Sequence, residues 1–330
     1  MSVRLRTADT SAPGWTLEIV DSERRIVDAR GKPVTGAEAI ARVEALVIPP
    51  AWTNLWIAPQ ANAHIQAVGT DAAGRRQYIY HERWQQRRLR LKYERALELA
   101  ASLPRARGLV TRDLRTGYGT RERALAVAFR LLDSAFLRVG SERYAARHGS
   151  RGLTTLLNQH ATVSGDTVIL DFAGKSGMEW GSQTTDAELA SAVRSLKRRG
   201  RDERLLSWRD GTAWHALSAS DVNAYVRERT NGDFTAKDFR TLHGTITAAA
   251  ELASLGPQES AAERKRMVTE AVQRTADILG NTPAVARASY IDPRVIDRYR
   301  DGLVIETGHI APERALRELI LQHDEGDDDE

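Results

Sequence analysis

LGNTPAVARASYIDP, at residues 279–293, carries the signals for a turn followed by the start of a helix. The run Asn281–Thr282–Pro283 is typical of a turn, and Asp292–Pro293 is typical of a helix start. Asp can accept hydrogen bonds from the free N–H groups of the first turn, and Pro fits that turn without strain. Tyr290 is therefore predicted to lie in a junction between two helices, a place where a tyrosine is ordinarily a packing residue.

The chain around this junction, from about residue 96 onward, has mainly helical periodicity. Large apolar side chains recur at i, i+4, i+7 and i+11 from Leu125, which predicts a helix over residues 124–136. The same reasoning predicts the other main elements of this part: helix starts at Thr185–Glu188, Ser218–Asp221 and Thr235–Asp238, helices over residues 260–279 and 312–323, and a β interruption over residues 161–183 with strands at Thr167–Phe172 and Met178–Gln183.

Residues 1–95 have instead the short runs and turn residues of β strands. The predicted elements are strands at Trp15–Val20, Arg25–Asp28, Val47–Trp52, Leu55–Ala58, Ile65–Val68 and Arg76–His81, a short helix at Ala37–Leu46, and a basic helix from about Glu82. We therefore predict an α+β protein with a small antiparallel β domain (1–95), a larger and mainly α-helical domain that contains a β hairpin (96–323), and a disordered acidic tail (324–330).

The charge of the chain favours nucleic acid as its partner. The formal net charge is +4, but residues 324–330 contribute six acids and no bases. Without those six acids, 48 basic residues face 38 acidic ones, a net charge of +10. Most of the bases are arginine, whose planar fork suits phosphate. A basic protein with solvated charged faces is the simpler alternative.

Composition excludes several classes of site. There are no cysteines, so disulfides, thiolate nucleophiles and cysteine-ligated metals are absent. No apolar run approaches the roughly 20 residues of a membrane span, and the N-terminus lacks the apolar core of a secretory signal, so we expect a cytoplasmic protein. The runs Gly69–Asp71 and Gly117–Gly119 are too short, and lie in the wrong context, for a nucleotide-binding loop.

Four further residues lie beside turns or helix ends, and each has an ordinary structural explanation. Arg138 is explained as a helix C-terminal charge, and Lys175 as an exposed residue at the tip of the predicted hairpin. Arg240 is explained as a surface cation, and Asn281 as a turn former nine residues before Tyr290. Arg240 fits its explanation least well, because it adjoins an apolar stripe of its predicted helix.

Seven pieces of sequence give these residues a shared context. In order they are IPPAW (48–52), GTDAAGRRQYIYH (69–81), FLRVGSERY (136–144), GLTTL (152–156), FAGKSG (172–177), KDFRT (237–241) and residues 279–290. On these pieces the chain resembles the type IB DNA topoisomerases, in the compact form shared by bacteria and poxviruses. The resemblance implies a β domain and a helical catalytic domain that close around duplex DNA as a clamp.

The resemblance also implies catalytic roles. Tyr290 would attack a backbone phosphodiester, form a 3′-phosphotyrosyl link and expel a 5′-hydroxyl. Phosphoryl transfer depends mainly on positioning and charge neutralisation, which Arg138 and Arg240 can supply. Lys175 is interpreted as the general acid, directly or through Arg138, because lysine can shift its pKa where arginine cannot.

The covalent link would conserve the energy of the broken bond, so no ATP, nucleotide or metal cofactor is expected. Rotation of the free strand would then relax supercoils of either sign before religation. The resemblance thus implies a DNA topoisomerase that acts on double-stranded DNA, and we expect it to work as a monomer associated with the nucleoid.

Asn281 departs from the pattern, because much of the family has a histidine at this position. An asparagine amide can donate a hydrogen bond to a phosphate oxygen, but it cannot transfer a proton. His243, two residues after KDFRT, is the other candidate imidazole, either near DNA or as a supporting or packing residue. Lys237, which opens KDFRT, is predicted to contact DNA.

The predicted strand Arg76–His81, with Arg75 just before it, mixes cationic and aromatic side chains. The resemblance implies that it contacts DNA, through Arg75, Arg76, Gln77, Tyr78 and Tyr80. The alternative is that the two tyrosines cover the core of the β domain.

Three other functions remain open at this point. A tyrosine recombinase would share the chemistry, but IPPAW and GRRQYIYH argue against it. A non-catalytic duplex DNA-binding protein would share the fold. A metal-dependent nuclease is disfavoured, because no His or carboxylate cluster has ligand spacing.

Overall fold

The computed structural model describes residues 4–20 and 23–321, and its fold class is α+β, as predicted. The predicted tail, 324–330, lies outside the described residues. The chain divides into two compact units, which meet in sequence between Leu91 and Lys92. The predicted domain boundary lies between residues 95 and 96, within the same long helix.

The described part of the N-terminal unit contains two small antiparallel sheets, one short helix and the first turns of a long helix. Its elements are β1 (Thr16–Val20), β2 (Glu23–Val27), α1 (Ala37–Ala45), β3 (Thr53–Ile57), β4 (Ile65–Thr70) and β5 (Arg76–Tyr80). Strands β1 and β2 form a hairpin, and β3, β4 and β5 form a three-stranded sheet in that order. Ile57 and Ala67, with no exposed surface, form the centre of a small core with Ile26, Val43 and Ile48.

One predicted strand of this unit is wrong. Residues 47–52 form no strand; they are a turn between α1 and β3. Pro49 and Pro50 have no backbone N–H to donate to a sheet, and Val47 has a positive φ of 46°. The apolar composition of this run reflects packing, since Ile48 belongs to the core.

The second unit is mainly helical, as predicted. Its helices are α2 (Glu82–Leu114, which begins in the first unit), α3 (Arg121–Ala135), α4 (Glu142–His148), α5 (Ala187–Leu196), α6 (Ala219–Thr230), α7 (Ala236–Leu255), α8 (Ala261–Leu279), α9 (Pro283–Ser289), α10 (Pro293–Arg300) and α11 (Pro312–Leu321). Helix α3 is buried on nearly every side, and its Phe129 meets Phe239 of α7 edge to face at 5.1 Å. None of the described helices is long and apolar enough to span a bilayer.

Local signals explain where several of these helices begin. Ser218 and Asp221 cap α6 reciprocally, with N···O distances of 2.9 and 3.1 Å. The start predicted at Thr185 is one residue early, because Asp186 is the residue that accepts from the Leu189 N–H.

Two antiparallel sheets lie among these helices. The first consists of β6 (Ala161–Ser164), β7 (Thr167–Ala173) and β8 (Glu179–Thr185) in that order, and the second of β9 (Ser207–Asp210) and β10 (Ala213–Ala216). The predicted hairpin is confirmed as β7 and β8, joined by a turn over Lys175–Gly177. Strands β9 and β10 were not predicted.

Candidate active site

Tyr290 is the first residue after α9 and lies half-buried between that helix and α10. Thr282 caps the N-terminus of α9, and Asp292 caps that of α10. The predicted junction between two helices is therefore confirmed. Thr245 of α7 holds the segment in place: its hydroxyl lies 3.1 Å from the Tyr290 carbonyl and accepts from the Asp292 N–H at 3.1 Å.

Gly244 allows the tyrosine to approach α7 this closely. A Cβ atom at Gly244 would lie 2.8 Å from the carbonyl oxygen of Tyr290 and 2.9 Å from its Cβ. These distances are shorter than side-chain carbons tolerate, and one contact is to backbone, which cannot turn away. The position therefore requires a residue without a side chain.

Arg240 lies one helical turn before Gly244 and is 3% exposed. Its guanidinium donates to the carbonyl of Leu279, at 2.8 Å, and to the carbonyl of Phe136. Its central carbon lies 5.0 Å from the ring centroid of Tyr290. The arginine thus joins three segments that are distant in sequence and lies directly against the phenol.

Arg138 follows α3 and lies near Arg240 and Tyr290. One guanidinium nitrogen donates to the Gly280 carbonyl at 3.1 Å and to Asn281 Oδ1 at 2.6 Å. Its own carbonyl accepts from the Leu153 N–H at 2.9 Å. This pairing brings Gly152 so close that a Cβ there would lie 2.8 Å from the carbonyl oxygen of Arg138.

The two arginines form a cationic site without a counter-charge. Among the residues that the structure describes, neither is paired with a carboxylate; their acceptors are backbone carbonyls and one amide. Burial and the nearby charge of Arg138 lower the pKa of Arg240 to about 10, and burial lowers the pKa of Arg138. A buried and a partly buried cation close to each other favour the arrival of an anion.

Asn281 presents a free donor at this site. Arg138 can only donate, so the Asn281 oxygen must face it and the amide nitrogen must point away. That nitrogen is buried and has no hydrogen-bond partner within the described part of the chain. A buried orphan donor costs about 1–3 kcal/mol, which an incoming oxygen acceptor would offset.

Lys175 lies at the exposed turn between β7 and β8. It lines, together with Arg138, Gly140, Tyr144 and other residues, an open cavity of about 780 Å³. Tyr290 does not line this cavity, but its neighbour Arg138 does. The structure therefore brings Tyr290, Arg138, Arg240 and Asn281 together, and Lys175 lines the same cavity as Arg138.

His243 does not face solvent. It is 6% exposed, its Nε2 lies 3.2 Å from Asp133 Oδ1, and its ring lies 4.9 Å from that of Phe136. Arg107 holds the same Asp133 through two hydrogen bonds of 2.7 and 2.9 Å. This placement argues against a direct DNA contact by His243 and supports the packing alternative. Lys237, in contrast, is exposed in the first turn of α7.

In the N-terminal unit, alternate residues of β5 face opposite sides. Ile79 packs on the core. Tyr78 stacks on Tyr80 at 5.9 Å, with Arg76 over Tyr78 at 5.6 Å and Arg88 of α2 over Tyr80 at 6.0 Å. Since Tyr78 is 40% exposed, this face is an open cationic and aromatic surface rather than a cover for the core.

The other two residues predicted on this strand are engaged within the unit. Arg75 Nε and Gln77 Nε2 donate to Asp71 Oδ2 at 2.9 and 2.8 Å. The backbone N–H of Arg75, which donates to Asp71 Oδ1 at 2.9 Å, and these side-chain hydrogen bonds hold the pKa of the Asp71 carboxyl well below its usual range. Asp71 therefore holds both side chains in place beside the exposed face of β5.

Sequence reasoning missed several residues of the site. Lys92 of α2 donates to the carbonyl of Ser289, the residue before Tyr290. Trp180 of β8 lies 6.0 Å from the Arg240 guanidinium. Gly244 could have been noticed, because a glycine inside a helix is unfavourable unless close packing requires it. Lys92 is one of many basic residues in α2, and nothing in the local sequence sets it apart.

Comparison with known proteins identifies the family. A model described as the catalytic core of eukaryotic DNA topoisomerase I matches residues 81–306, and one described as the N-terminal domain of bacterial DNA topoisomerase IB matches residues 25–71. The chain belongs to the type IB DNA topoisomerases. It is therefore an enzyme of the isomerase class.

Individual relatives agree with this. A DNA topoisomerase 1B of Acanthamoeba polyphaga mimivirus is 30% identical over 270 residues, which cover 79% of this chain and 80% of the relative. A DNA topoisomerase 1B of vaccinia virus (strain Copenhagen) is 22% identical over 71% of this chain and 72% of its own length. The DNA topoisomerase 1 of rabbit fibroma virus is 23% identical over 72% of this chain and 73% of its own length.

Proposed function

We propose that this topoisomerase relaxes double-stranded DNA through a covalent bond between Tyr290 and a 3′-phosphate. The observation that carries the proposal is the position of the Tyr290 ring, 5.0 Å from the Arg240 guanidinium, beside two arginines that lack a carboxylate. A nucleophile placed against uncompensated cations suits attack on a phosphodiester, because the cations neutralise charge on the non-bridging oxygens.

The proposed step forms one bond to phosphorus and breaks another. The Tyr290 oxygen bonds to phosphorus, its proton passes to solvent, and the bond from phosphorus to the 5′-oxygen breaks. Lys175 supplies the proton that the leaving 5′-oxygen takes up, directly or through Arg138. The free amide nitrogen of Asn281 donates to a non-bridging oxygen. Religation reverses each transfer, so no nucleotide is consumed.

The wider features of the proposal follow from this chemistry. Arginine supplies the charge that a metal supplies elsewhere, and no three His, Asp or Glu side chains of residues 4–20 and 23–321 are grouped as metal ligands.

The exposed face of β5, through Arg76, Tyr78 and Tyr80, is proposed as a DNA contact, together with Lys237. We further propose that the enzyme acts as a monomer that closes around the duplex, in the cytoplasm at the nucleoid.

Plasmid relaxation tests the proposal. The assay uses EDTA, no ATP, and plasmids of positive and negative supercoiling. Wild type and Tyr118→Phe, a change at an exposed tyrosine outside the site, should relax both plasmids. Tyr290→Phe should bind DNA with unchanged affinity and neither relax nor nick it. Relaxation by Tyr290→Phe, or a requirement for a divalent metal in the wild type, would refute the proposal.

The same assay separates the alternatives. A non-catalytic DNA-binding protein would bind plasmid without relaxing it. A tyrosine recombinase would require assembly on two duplexes, so its activity would rise steeply with protein concentration. A single protein molecule bound to each plasmid should suffice for the proposed enzyme.

A further inference from the structure

Lys92 of α2 reaches the segment that carries Tyr290. Its ammonium donates to the carbonyl of Ser289, the last residue of α9. The same nitrogen lies 5.9 Å from the ring centroid of Tyr290 and 4.7 Å from that of Tyr93. A cation thus binds the backbone immediately before the proposed nucleophile and lies beside its ring.

The charged groups around Lys92 do not balance it. Lys237 repels it from α7, while Asp238 of α7 and Asp292 at the start of α10 attract it. Both carboxylates are already engaged. Asp238 binds Arg95 at 3.1 Å and the Thr235 N–H at 2.7 Å.

Asp292 is engaged in the same way. It accepts from the guanidinium of Arg294 at 2.8 Å and from its backbone N–H at 3.0 Å. The hydrogen-bond acceptor of Lys92 is therefore the carbonyl of Ser289. A carbonyl at the C-terminus of a helix is a favourable partner for a cation, because it carries part of the negative end of the helix dipole.

The charge of Lys92 does not stabilise the folded protein. Burial, with a smaller contribution from Lys237, lowers the pKa of Lys92 to about 8. Since the unfolded chain would keep a pKa near 10.4, folding disfavours the charged form. This penalty is fully present below about pH 8 and is relieved as the pH rises toward 10, which is the reverse of a stabilising salt bridge.

We infer that Lys92 is a positioning residue for Tyr290: its ammonium fixes the end of α9 through the Ser289 carbonyl and so aims the phenol at the arginine pair. The inference rests on the proposed function of Tyr290. An ammonium makes a stronger hydrogen bond than a neutral amine. Loss of the Lys92 proton should therefore loosen the tyrosine segment without unfolding the protein.

Single-turnover cleavage across pH 6–10 tests this. The substrate is a pool of short duplexes with random central sequence, whose leaving strand dissociates after cleavage, so that religation is prevented. Wild type is compared with Lys92→Met, which removes the charge, and Lys92→Arg, which keeps it at every pH. Lys265→Met, at an exposed lysine of α8, is the matched control.

We expect Lys92→Met to cleave about tenfold more slowly than wild type at pH 7. Its DNA affinity should be unchanged, and its melting temperature should be equal to or above that of wild type. Lys92→Arg should restore most of the rate, and the ratio of wild-type to Lys92→Arg rates should fall as the pH rises through about 8. Lys265→Met should match wild type throughout.

Several results would overturn the inference. Lys92→Met could cleave at the wild-type rate, or lose only DNA affinity, as a simple phosphate contact would. Lys92→Met could cleave more slowly but also unfold at a lower temperature, as expected for a structural residue. The cleavage rates of wild type and Lys92→Arg could also depend on pH in the same way. If wild type forms no covalent adduct at any pH, both the proposed function and this inference are refuted. If Lys92→Met forms the adduct as fast as wild type, the inference is refuted and the proposed function is not.

Discussion

Asn281 illustrates how a single side chain sets the protonation behaviour of the site. Its oxygen accepts from Arg138 at 2.6 Å, and its buried nitrogen is left to donate. An amide does not titrate, so this position adds no pH dependence of its own. A histidine here would have to make both hydrogen bonds with one imidazole, which only the neutral form can do, because the imidazolium has no acceptor.

The variant Asn281→His should therefore acquire a titration that wild type lacks. Protonation would remove the acceptor of Arg138 and add a like charge beside it. The ratio of variant to wild-type cleavage rates should fall as the pH is lowered through about 6.5, the usual histidine range. Single-turnover cleavage between pH 5.5 and 7.5 measures this. An equal inflection in wild type would show that another group titrates at the site.

At the scale of single residues, the sequence predicted the polar members of the site and missed the residues that position them. Arg138, Arg240 and Asn281 adjoin turns or helix ends, and they were selected because they also lie in motifs that resemble those of the type IB topoisomerases. Lys92 lies within a regular helix, and its importance depends on the Ser289 carbonyl, 197 residues away. A contact of that separation cannot be recognised from local pattern.

Helix α7 is the element that assembles the site, because three of its residues act on the tyrosine segment. Arg240 meets the ring, Gly244 lets the backbone approach, and Thr245 hydrogen-bonds to it. Arg240 and Gly244 are one turn apart and lie on the same side of the helix, and Thr245 follows Gly244 directly. A change at Gly244 should therefore move Tyr290 while leaving the side chains of Arg138 and Arg240 in place.

The variant Gly244→Ala tests this arrangement. The added methyl should displace Tyr290 and slow cleavage by at least about tenfold. Gly108→Ala in α2 is the control, because nothing lies within 4 Å of a Cβ there and alanine in a helix adds about 0.5–1 kcal/mol of stability over glycine. Single-turnover cleavage and thermal unfolding measure both. Cleavage by Gly244→Ala at the wild-type rate would contradict the arrangement.

At the scale of elements, the predictions succeeded where a cap or a turn was explicit. The hairpin of β7 and β8, the start of α6 and the junction at Tyr290 are examples. Strands β9 and β10 were missed because each has only four residues and no clear alternation. The strand predicted at residues 47–52 failed because its two prolines cannot join a sheet.

In the molecule as a whole, one buried ionic cluster ties four helices of the second unit together. Asp133 of α3 binds Arg107 of α2 and His243 of α7, and Arg107 also binds Glu313 of α11. Burial raises the pKa of Asp133, but the hydrogen bonds and charges of His243 and Arg107 outweigh it and hold the pKa well below its usual range.

This cluster predicts a specific loss of stability in acid. A carboxyl with a lowered folded pKa contributes stability above its unfolded pKa, about 3.9, and loses it as the pH falls further. Asp133→Asn should be less stable than wild type by about 3–5 kcal/mol at pH 7, and the difference should shrink below pH 4. Denaturant unfolding at several pH values measures this, with Glu259→Gln, at an exposed glutamate, as control. A difference that stays constant with pH would contradict it.

The α+β class and the order of a β-rich part before a helical part were predictable, because hydrophobic periodicity changes from strand-like to helical along the chain. The ionic cluster was not predictable. Asp133, Arg107 and Glu313 lie in helices whose sequences show only ordinary charges, and their pairing depends on packing between distant segments.

The most direct measurement traps the protein on supercoiled plasmid with SDS and determines both ends of the nick. The peptide that remains on the DNA after nuclease and trypsin digestion is identified by mass spectrometry. We predict a phosphotyrosyl bond at Tyr290, a blocked 3′ end, and a free 5′-hydroxyl that polynucleotide kinase labels without prior phosphatase treatment. A DNA link at another residue, or a protein bound to the 5′ end, would contradict the assignment of Tyr290 as the nucleophile.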